Sequence, residues 1–340
     1  MEAIMIKPLH RGEKATFMDE KEALATTAGY SVREIMITTP KKYPLGRGKL
    51  EELSRETVDT LIILTLLTPD QKFKMHEKTG KDIIDFYDLV LRVFEQHAQS
   101  REAKIQIELA RIQKEQPRIT KELNLRVKKE HPGYSGGGEY VLHSHLTNLK
   151  NRISRLEREL MLYEKRKEKE RTRRKNVISL AGYTNSGKST IFNRLTKSSQ
   201  RSGKEPFTTL QTKSRFLYAD GKRVVLNDTI GFISDLPPGL IAPFRATLGD
   251  IVHSKFILLV VDVNESVETM IKKMDICSET LRKIGVNRDK TRIITVFNKI
   301  DLVPYPEKKI EETGIKEGYV AVSGLSSENL GALRSIFSSI

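Results

Sequence analysis

The stretch "GYTNSGKS", from Gly182 to Ser189, matches the pattern G-x-x-x-x-G-K-[ST] of phosphate-binding loops. It follows the strand-like segment "NVISLAG" and precedes the apolar-periodic segment "TIFNRL", so it has the strand–loop–helix context that the pattern requires. Strand-like and helical segments alternate around it over residues 176–340, which predicts a mostly parallel, doubly wound α/β domain. The residues expected to hold nucleotide phosphates are Gly182, Asn185, Ser186, Gly187, Lys188, Ser189 and Thr190.

Side chains near this loop have the chemistry of phosphoryl transfer. Lys188 is expected to supply positive charge to the β- and γ-phosphates, and the Ser189 hydroxyl to ligate Mg²⁺. Asp228 ends the strand-like segment "RVVLND", where its carboxylate is expected to hold Mg²⁺ through water. Gly231 follows in "DTIG" and offers its N–H to the γ-phosphate. Lys188 and Gly231 are therefore candidate catalytic residues.

A further candidate lies in "EPFTTLQT" (Glu205–Thr212), between the loop and that strand. A threonine hydroxyl there is expected to complete the Mg²⁺ shell, and Thr209 is preferred over Thr208. Segments of this kind are ordered by the triphosphate and released on hydrolysis. Thr209 is therefore predicted to be both a metal ligand and a member of the catalytic set.

Two later segments point to the base. "NKID" (Asn298–Asp301) closes the strand-like segment "RIITVFNK" and matches N-K-x-D, in which the Asp carboxylate accepts two N–H bonds from guanine. Adenine cannot reproduce that pair, so a site of this kind discriminates strongly. In "VSGLS", Ser323 and Gly324 are expected to offer backbone N–H groups to the base oxygen. Asn298, Lys299 and Asp301 complete the predicted site for GTP and GDP.

Phe232 follows Gly231, at the place where many GTPases have a Gln that orients the attacking water. A phenyl ring cannot hydrogen-bond to water, so catalysis must come from positioning and charge neutralisation elsewhere. We expect slow basal hydrolysis that a partner accelerates by ordering the loops. The alternative is that Phe232 is a packed residue and that hydrolysis has no functional role.

The composition indicates a basic protein with a polyanionic partner. The chain has 59 Lys and Arg against 44 Asp and Glu, a net charge of +15. Nucleic acid or an anionic membrane surface would suit this charge, and a merely basic surface is the alternative. The longest apolar runs, Leu61–Leu67 and Phe256–Val261, are far shorter than the about 20 residues of a membrane span. The single cysteine, Cys277, is expected to be a buried thiol and fits a cytoplasmic location.

Residues 1–97 alternate strand-like and helical pieces, which predicts a small N-terminal α/β domain with a parallel sheet. Strands are expected at Ala3–Ile6, Ser31–Thr38, Asp59–Thr65 and Asp82–Phe86. "PLGRGKLEEL" (Pro44–Leu53) places a Gly-rich basic turn before a helix. The turn is either an ordinary helix entrance or a phosphate site made of backbone N–H groups.

Residues 98–175 have a heptad pattern. Its downstream members are spaced alternately by four and three, from Leu142 to Tyr163, and its upstream members run from Ile105 to Leu123. "HPGYSGGGEY" (His131–Tyr140) between them is too Gly-rich for a helix. This predicts two long antiparallel helices, with Pro117 kinking or breaking the first. A dimeric coiled coil is the alternative, although a monomer is expected.

The basic run "EKRKEKERTRRK" (Glu164–Lys175) ends the second helix. It is either a solvated linker or a contact to a phosphate backbone. Residues 176–340 are expected to form the remaining domain. The predicted fold is therefore α/β: an N-terminal parallel α/β domain with a long antiparallel helical hairpin, followed by a P-loop GTPase domain.

Several motifs together resemble the HflX family of ribosome-associated GTPases. They are "DTIGFISDLPPGLIAPFRATLGD" (Asp228–Asp250), "FTTL", "LVVDVNES", "GRGKLEEL" and "FEQHAQSREAKIQIELARIQKEQPRI" (Phe94–Ile119). The resemblance covers nearly the whole chain. It implies binding to the large (50S) ribosomal subunit and, for bacterial members, splitting of ribosomes under stress. Because the chain stops soon after "LGALRSIFSSI", an archaeal-type member without the extra C-terminal domain is expected.

Two other function classes compete with this resemblance. One is an RNA-binding or RNA-remodelling protein in which GTP only gates affinity, which the basic run and the Gly-rich tip would also serve. The other is a membrane-linked regulator, which lacks support from any amphipathic or lipidation signal in the sequence.

Overall fold

The computed structural model describes residues 1–9, 17–38, 44–129, 137–173, 176–197, 212–241 and 245–338. The chain divides into two compact units. The first contains Met1–Gln96 and Ser100–Glu164, and the second contains His97–Gln99 and Lys165–Ile340. The sequence predicted three segments, with boundaries at 97/98 and 175/176, and these boundaries stay a prediction.

The first unit is built on a four-stranded parallel sheet in the order β2-β1-β3-β4. Its strands are β1 (Glu2–Pro8), β2 (Ser31–Thr38), β3 (Thr60–Ile63) and β4 (Asp82–Asp85). The predicted parallel sheet is confirmed. Isoleucine and leucine side chains of β1, β3 and β4 are fully buried, because a parallel sheet covered by helices excludes water from its strands.

Four helices connect these strands: α1 (Met18–Thr27), α2 (Arg47–Ser54), α3 (Pro69–Thr79) and α4 (Phe86–His97). Helix α3 shows why the sequence begins and ends a helix where it does. The Thr68 side chain accepts the Gln71 N–H, the Gln71 side chain accepts the Thr68 N–H, and Pro69 occupies the first turn. Gly80 ends the helix with a φ of +68°.

Two long helices belong to the predicted hairpin: α5 (Arg101–Lys129) and α6 (Gly137–Arg173). Heptad side chains of the two helices pack on each other within one chain. One cluster joins Ile105, Leu109 and Ile112 to Leu156 and Leu160, and a second joins Ile119 to Leu146. The antiparallel hairpin therefore buries the seam that the spacing predicted. A coiled-coil geometry of this seam stays a prediction.

Two local expectations for the hairpin need correction. Helix α5 continues through Pro117, so the predicted break does not occur, while the predicted kink stays a prediction; Ile112 and Ile119, on either side of Pro117, pack against α6. Helix α6 begins at Gly137, so the last four residues of the Gly-rich stretch up to Tyr140 are helical. A glycine costs a helix only about 1 kcal/mol, which a 37-residue packed helix tolerates in its first turn. Residues 130–136 lie outside the described residues.

The second unit contains a six-stranded sheet in the order β10-β9-β8-β5-β7-β6. All neighbouring strands are parallel except β6 and β7, which form an antiparallel edge. The predicted doubly wound domain is confirmed. The strands are β5 (Val177–Gly182), β6 (Lys213–Ala219), β7 (Lys222–Asp228), β8 (Phe256–Asp262), β9 (Arg292–Asn298) and β10 (Tyr319–Val322).

The helices of this unit are α7 (Lys188–Thr196), α8 (Pro238–Ile241), α9 (Arg245–Val252), α10 (Val267–Lys283), α11 (Pro306–Glu311) and α12 (Leu330–Ser338), with a short 3₁₀ helix at Ile300–Leu302. A large hydrophobic cluster joins the central strands to α7 and α12 through residues such as Phe192 and Phe337. Cys277 on α10 is buried, and burial raises the pKa of its thiol to about 12. An inert structural thiol follows, as expected.

Candidate nucleotide-binding site

The end of β5 and the start of α7 place the phosphate loop. Gly182 has a φ of +144°, and a Cβ there would lie 2.3 Å from the Val260 carbonyl oxygen on the neighbouring strand β8. Gly187 has a φ of +92°, and a Cβ there would lie 2.1 Å from Nδ2 of Asn298. Both positions exclude every other residue. Helix α7 begins directly after Gly187, so its positive dipole end lies at the loop.

The Lys188 side chain is folded into this loop and is 6% exposed. Its Nζ donates to the carbonyl oxygens of Gly182 at 3.1 Å and Tyr183 at 2.7 Å. Burial lowers the pKa of Lys188 to about 8, against the opposing effect of the Asp228 carboxylate. A Cβ on Gly231 would lie 3.0 Å from the same Nζ. The two candidate catalytic residues, Lys188 and Gly231, are thus brought together.

Ser189 and Asp228 form the candidate metal position. The Ser189 hydroxyl donates to Oδ2 of Asp228 at 2.7 Å, and Asp228 is almost fully buried at the end of β7. A hydroxyl and a carboxylate side by side are hard oxygen donors of the kind that Mg²⁺ prefers. Among the described residues, no group of three or more His, Cys, Asp or Glu could hold a metal ion by itself. The site thus suits a cation that takes further oxygens from water and phosphate. Thr190 is the next residue along α7.

Phe232, at the position where many GTPases have a glutamine, is buried and bonded to the phosphate loop. Its ring is 2% exposed, so it packs inside the protein and does not face solvent. Its N–H donates to the Gly182 carbonyl at 3.0 Å, and its carbonyl accepts the Thr184 N–H at 2.8 Å. These two bonds make an isolated parallel bridge between Tyr183 and Phe232. The segment after Gly231 is therefore paired, backbone to backbone, with the phosphate loop.

Tyr183 strengthens this pairing and was not singled out from the sequence. Its hydroxyl oxygen accepts the Ser234 N–H at 2.8 Å, and the Lys273 ammonium lies 4.6 Å from its ring centroid. Lys273 also pairs with Glu265. These contacts join positions far apart in the chain, and no local spacing signals them. The only sequence signal for a role of Tyr183 was its position directly after Gly182, the first glycine of the loop.

The side-chain amide of Asn298 connects the phosphate loop to the loop that contains Ser323 and Gly324, which we call the guanine loop. Its Nδ2 donates to the Ser186 carbonyl at 2.9 Å, and its Oδ1 accepts the Gly324 N–H at 2.9 Å. Asn298 is 2% exposed. Its role in this structure is to fix the distance between the two loops.

The two amides predicted to reach the base oxygen donate elsewhere. The Gly324 N–H is taken by Asn298, and the Ser323 N–H donates to the Glu328 carbonyl at 3.1 Å. This differs from the expected arrangement, because the loop folds back on itself: the Ser323 hydroxyl also accepts the Ser326 N–H at 2.9 Å.

The remaining members of the guanine motif occupy the end of β9. Lys299 has a φ of +70°, and its ammonium pairs with the Asp262 carboxylate at the end of β8. Asp301 lies in the 3₁₀ helix and is exposed. Asp262 was not predicted, although its place at the carboxyl end of a buried strand is a signal for it. Thr209 lies outside the described residues.

Comparison with known families covers three consecutive stretches of the chain. Residues 15–95 match a family model described as GTP-binding GTPase N-terminal, and residues 97–174 match GTP-binding GTPase Middle Region. Residues 177–299 match a model described as 50S ribosome-binding GTPase.

Whole-length relatives agree with these matches. The GTPase HflX of Thermofilum pendens is 37% identical over 331 residues, which cover 94% of this chain and 76% of the relative. The GTPase HflX of Saccharolobus solfataricus is 35% identical, and the match covers 94% of both chains. The chain belongs to the HflX family. This HflX protein therefore binds guanine nucleotide and hydrolyses GTP, as the motifs predicted.

Two solved structures resemble the HflX chain along its length. A crystal structure of SsGBP with GDP is 28% identical, with a TM-score of 0.54, and the match covers 98% of this chain and 96% of that one. A GTP-binding protein from Sulfolobus solfataricus in complex with GDP is 27% identical, with a TM-score of 0.50, and the match covers 100% and 99%. In the described part of this HflX chain, no helix is both long and apolar enough to cross a bilayer.

Proposed function

We propose that this HflX chain uses its GTPase cycle to control association with the large (50S) ribosomal subunit. The observation that carries the proposal is the match of residues 177–299 to the family model described as 50S ribosome-binding GTPase. The net charge of +15 supports a partner rich in RNA, because a basic surface attracts a phosphate backbone. We further propose that this association serves to split ribosomes under stress.

The phosphate loop supports a specific assignment of roles. We assign phosphate binding to the N–H groups of the loop and of the first turn of α7, with Lys188 on the β- and γ-phosphates. The residues concerned are Gly182, Asn185, Ser186, Gly187, Lys188, Ser189 and Thr190. Gly231 offers its N–H to the γ-phosphate from the segment paired with this loop. The closeness of Gly231 to the Lys188 ammonium supports this role.

The metal assignment rests on the Ser189–Asp228 contact. Ser189 is the direct protein ligand, Asp228 acts through water, and Thr209 completes the set. When bound, Mg²⁺ neutralises the charge that develops on the phosphates. Asp228 also accepts the Ser189 hydroxyl hydrogen, which holds the two proposed metal-site oxygens together.

The base assignment gives discrimination to Asp301, whose carboxylate accepts two guanine N–H groups. Lys299 and Asn298 hold the walls of the base site, and the loop with Ser323 and Gly324 closes it. In the nucleotide-bound state the loop with Ser323 and Gly324 is expected to turn an amide toward the base oxygen.

Slow basal hydrolysis follows from Phe232. With the ring buried, no side chain at this position can orient water, so charge neutralisation by Lys188 and the metal remains. We propose that the ribosome orders the loops and raises the rate. In other GTPases, a charged group that a partner supplies to the transition state raises the hydrolysis rate by about 10³- to 10⁵-fold.

The three segments 1–97, 98–175 and 176–340 are proposed as the working parts: an N-terminal domain, a hairpin with its basic linker, and the GTPase domain. We propose a monomer that works in the cytoplasm, where ribosomes are.

The proposal is tested by GTP hydrolysis of the purified chain with and without 50S subunits. The expected result is a large stimulation in the parent protein and loss of activity in Lys188→Ala, since the lysine charge is then absent. Equal rates with and without 50S, in a parent protein that is active relative to Lys188→Ala, would contradict ribosome-coupled hydrolysis. Salt-sensitive binding to bare RNA that ignores GTP would then favour an RNA-binding protein.

A further inference from the structure

The antiparallel pair β6 and β7 forms the edge of the second sheet, with β6 outermost. We call residues 213–228 the β6–β7 ribbon. Leu217 and Ala219 on one face join the hydrophobic core with Val224 and Leu226. Side chains alternate along a strand, so the opposite face carries a different set.

That opposite face presents two aromatic rings to solvent. Phe216 is 49% exposed and Tyr218 is 77% exposed, and they lie two residues apart on the same side of β6. Arg223 lies directly across from Tyr218 in the strand pairing, and its guanidinium carbon is 3.6 Å from the Phe216 ring centroid. The arrangement is an aromatic–arginine–aromatic platform.

The ribbon carries an excess of positive charge. Over residues 213–228 it has four cations and two acids, exposed Asp220 and buried Asp228. The cations are Lys213, Arg215, Lys222 and Arg223. Arg215, Lys222 and Arg223 are exposed. A surface with this excess of positive charge attracts a polyanion, and it does not favour an apolar protein surface as the partner.

Exposed aromatic rings two residues apart on a strand, with Arg223 on the same face, match the chemistry of unpaired RNA. Bases stack on aromatic rings and on arginine planes, while lysine and arginine contact the phosphates. Stacking is tolerant of sequence, because every base has a π-face. We propose that the β6–β7 ribbon binds unpaired RNA bases, with Tyr218 and the Phe216–Arg223 pair as stacking platforms. This inference rests on the proposed association with ribosomal RNA, to which it adds a defined contact surface.

The chain contains no tryptophan, which allows a direct test. In the full-length protein, Tyr218→Trp introduces one indole on the ribbon, and Phe73→Trp introduces one at a 65% exposed position of α3 as the matched control. The probe is a single-stranded 12-nucleotide oligouridylate. We expect its addition to quench the Tyr218→Trp fluorescence and to leave that of Phe73→Trp unchanged.

Affinity is measured in parallel with Tyr218→Leu and Phe73→Leu. Loss of one stacked base is expected to weaken binding of the oligouridylate by about fivefold or more in Tyr218→Leu only. Thermal unfolding and GTP hydrolysis without a partner are expected to match the parent, which excludes a folding defect.

The outcomes separate the two proposals. Absence of quenching at saturating RNA, quenching of both indoles alike, or parental affinity in Tyr218→Leu would each overturn the ribbon as an RNA surface. Weaker 50S association of Tyr218→Leu with unchanged RNA affinity would also overturn it, since the ribbon would then contact a ribosomal protein. Ribbon-specific quenching in a chain that does not associate with 50S subunits would support the ribbon and contradict the proposed function.

Discussion

Phe232 and its neighbours show how a residue can stand at a catalytic position without being catalytic. Both backbone polar groups of Phe232 are bonded to the phosphate loop, and its ring is inside the protein. Tyr183 adds a third bond to the same segment through Ser234. The backbone of Phe232 therefore holds the segment against the phosphate loop, next to Gly231 and Lys188, the residues proposed to contact the γ-phosphate.

Installing the missing glutamine is not expected to help. Phe232→Gln would place an amide at a buried position, where the present side chain is 2% exposed, and should cost about 2–4 kcal/mol of stability. Hydrolysis under single-turnover conditions should not rise. The control Phe232→Leu keeps the site apolar and should cost less. A more than tenfold faster hydrolysis by Phe232→Gln would show that the side chain can reach water.

Gly182 allows a matched test of backbone fit. Gly182→Ala forces a side chain at positive φ against the Val260 carbonyl, so we expect a loss of at least about 2 kcal/mol in urea unfolding, together with weaker GTP binding. Gly221→Ala is the control, because Gly221 also has positive φ, at +75°, but a Cβ there meets nothing within 4 Å. Equal losses in the two variants would mean that φ strain alone, and not the close approach of β8, sets the requirement.

At the scale of elements, an ion-pair network joins α5 to the sheet of the first unit. Lys114 on α5 donates to Oδ1 of Asp85 at 2.6 Å and to Oδ1 of Asp88 at 2.7 Å, and Lys72 on α3 donates to Oδ2 of Asp88 at 2.7 Å. Burial and then the Asp88 charge raise the pKa of Asp85. Burial also pushes the pKa of Asp88 upward, but the two lysines outweigh it and leave that pKa lowered.

Asp88 should therefore make stability sensitive to acid. A carboxyl group whose pKa is lowered in the folded state contributes stability above its unfolded pKa, about 3.9, and loses it as pH falls through the folded value. The raised pKa of Asp85 acts in the opposite sense. Asp88→Asn should cost about 1–3 kcal/mol at pH 7 and flatten the decline of the urea midpoint below pH 4.

Asp82→Asn is the control for this network, because Asp82 is an exposed acid outside it, with its carboxylate 3.8 Å from the Arg92 guanidinium. It should leave the acid limb of the stability curve unchanged. An acid limb in Asp88→Asn that is as steep as in the parent would assign the acid sensitivity to other groups.

The elements themselves were largely predictable, and the contacts between distant loops were not. Apolar runs such as Phe256–Val261 identify buried strands, because both faces of a parallel strand exclude water. The break expected at Pro117 does not occur, since α5 packs on α6 on both sides of it, and Gly137 lies inside α6 although its neighbourhood was expected to be non-helical. The Tyr183–Ser234 bond and the Gly324–Asn298 bond depend on loops that meet only in the folded chain. No spacing in the sequence encodes such meetings.

The whole molecule combines a preformed nucleotide site with a large excess of positive charge. Binding of a basic protein to RNA releases counterions, so its affinity falls linearly with salt on a logarithmic scale. Association with 50S subunits should weaken at least about tenfold between about 50 and 200 mM monovalent salt at fixed Mg²⁺, as measured by co-sedimentation. The unfolding midpoint over the same range serves as the control for protein integrity. Salt-independent association would place the contact on apolar or neutral surfaces.

The single amide of Asn298 has a consequence for engineering the base preference of this enzyme. Because Asn298 bonds both to the phosphate loop and to the loop with Ser323 and Gly324, we expect any exchange there to disturb the proposed phosphate and base contacts together. Asp301 stands exposed on a separate 3₁₀ turn. Under the proposed assignment, we expect substitutions at Asp301 to change nucleobase choice and to leave the triphosphate cradle intact, whereas substitutions at position 298 should change both.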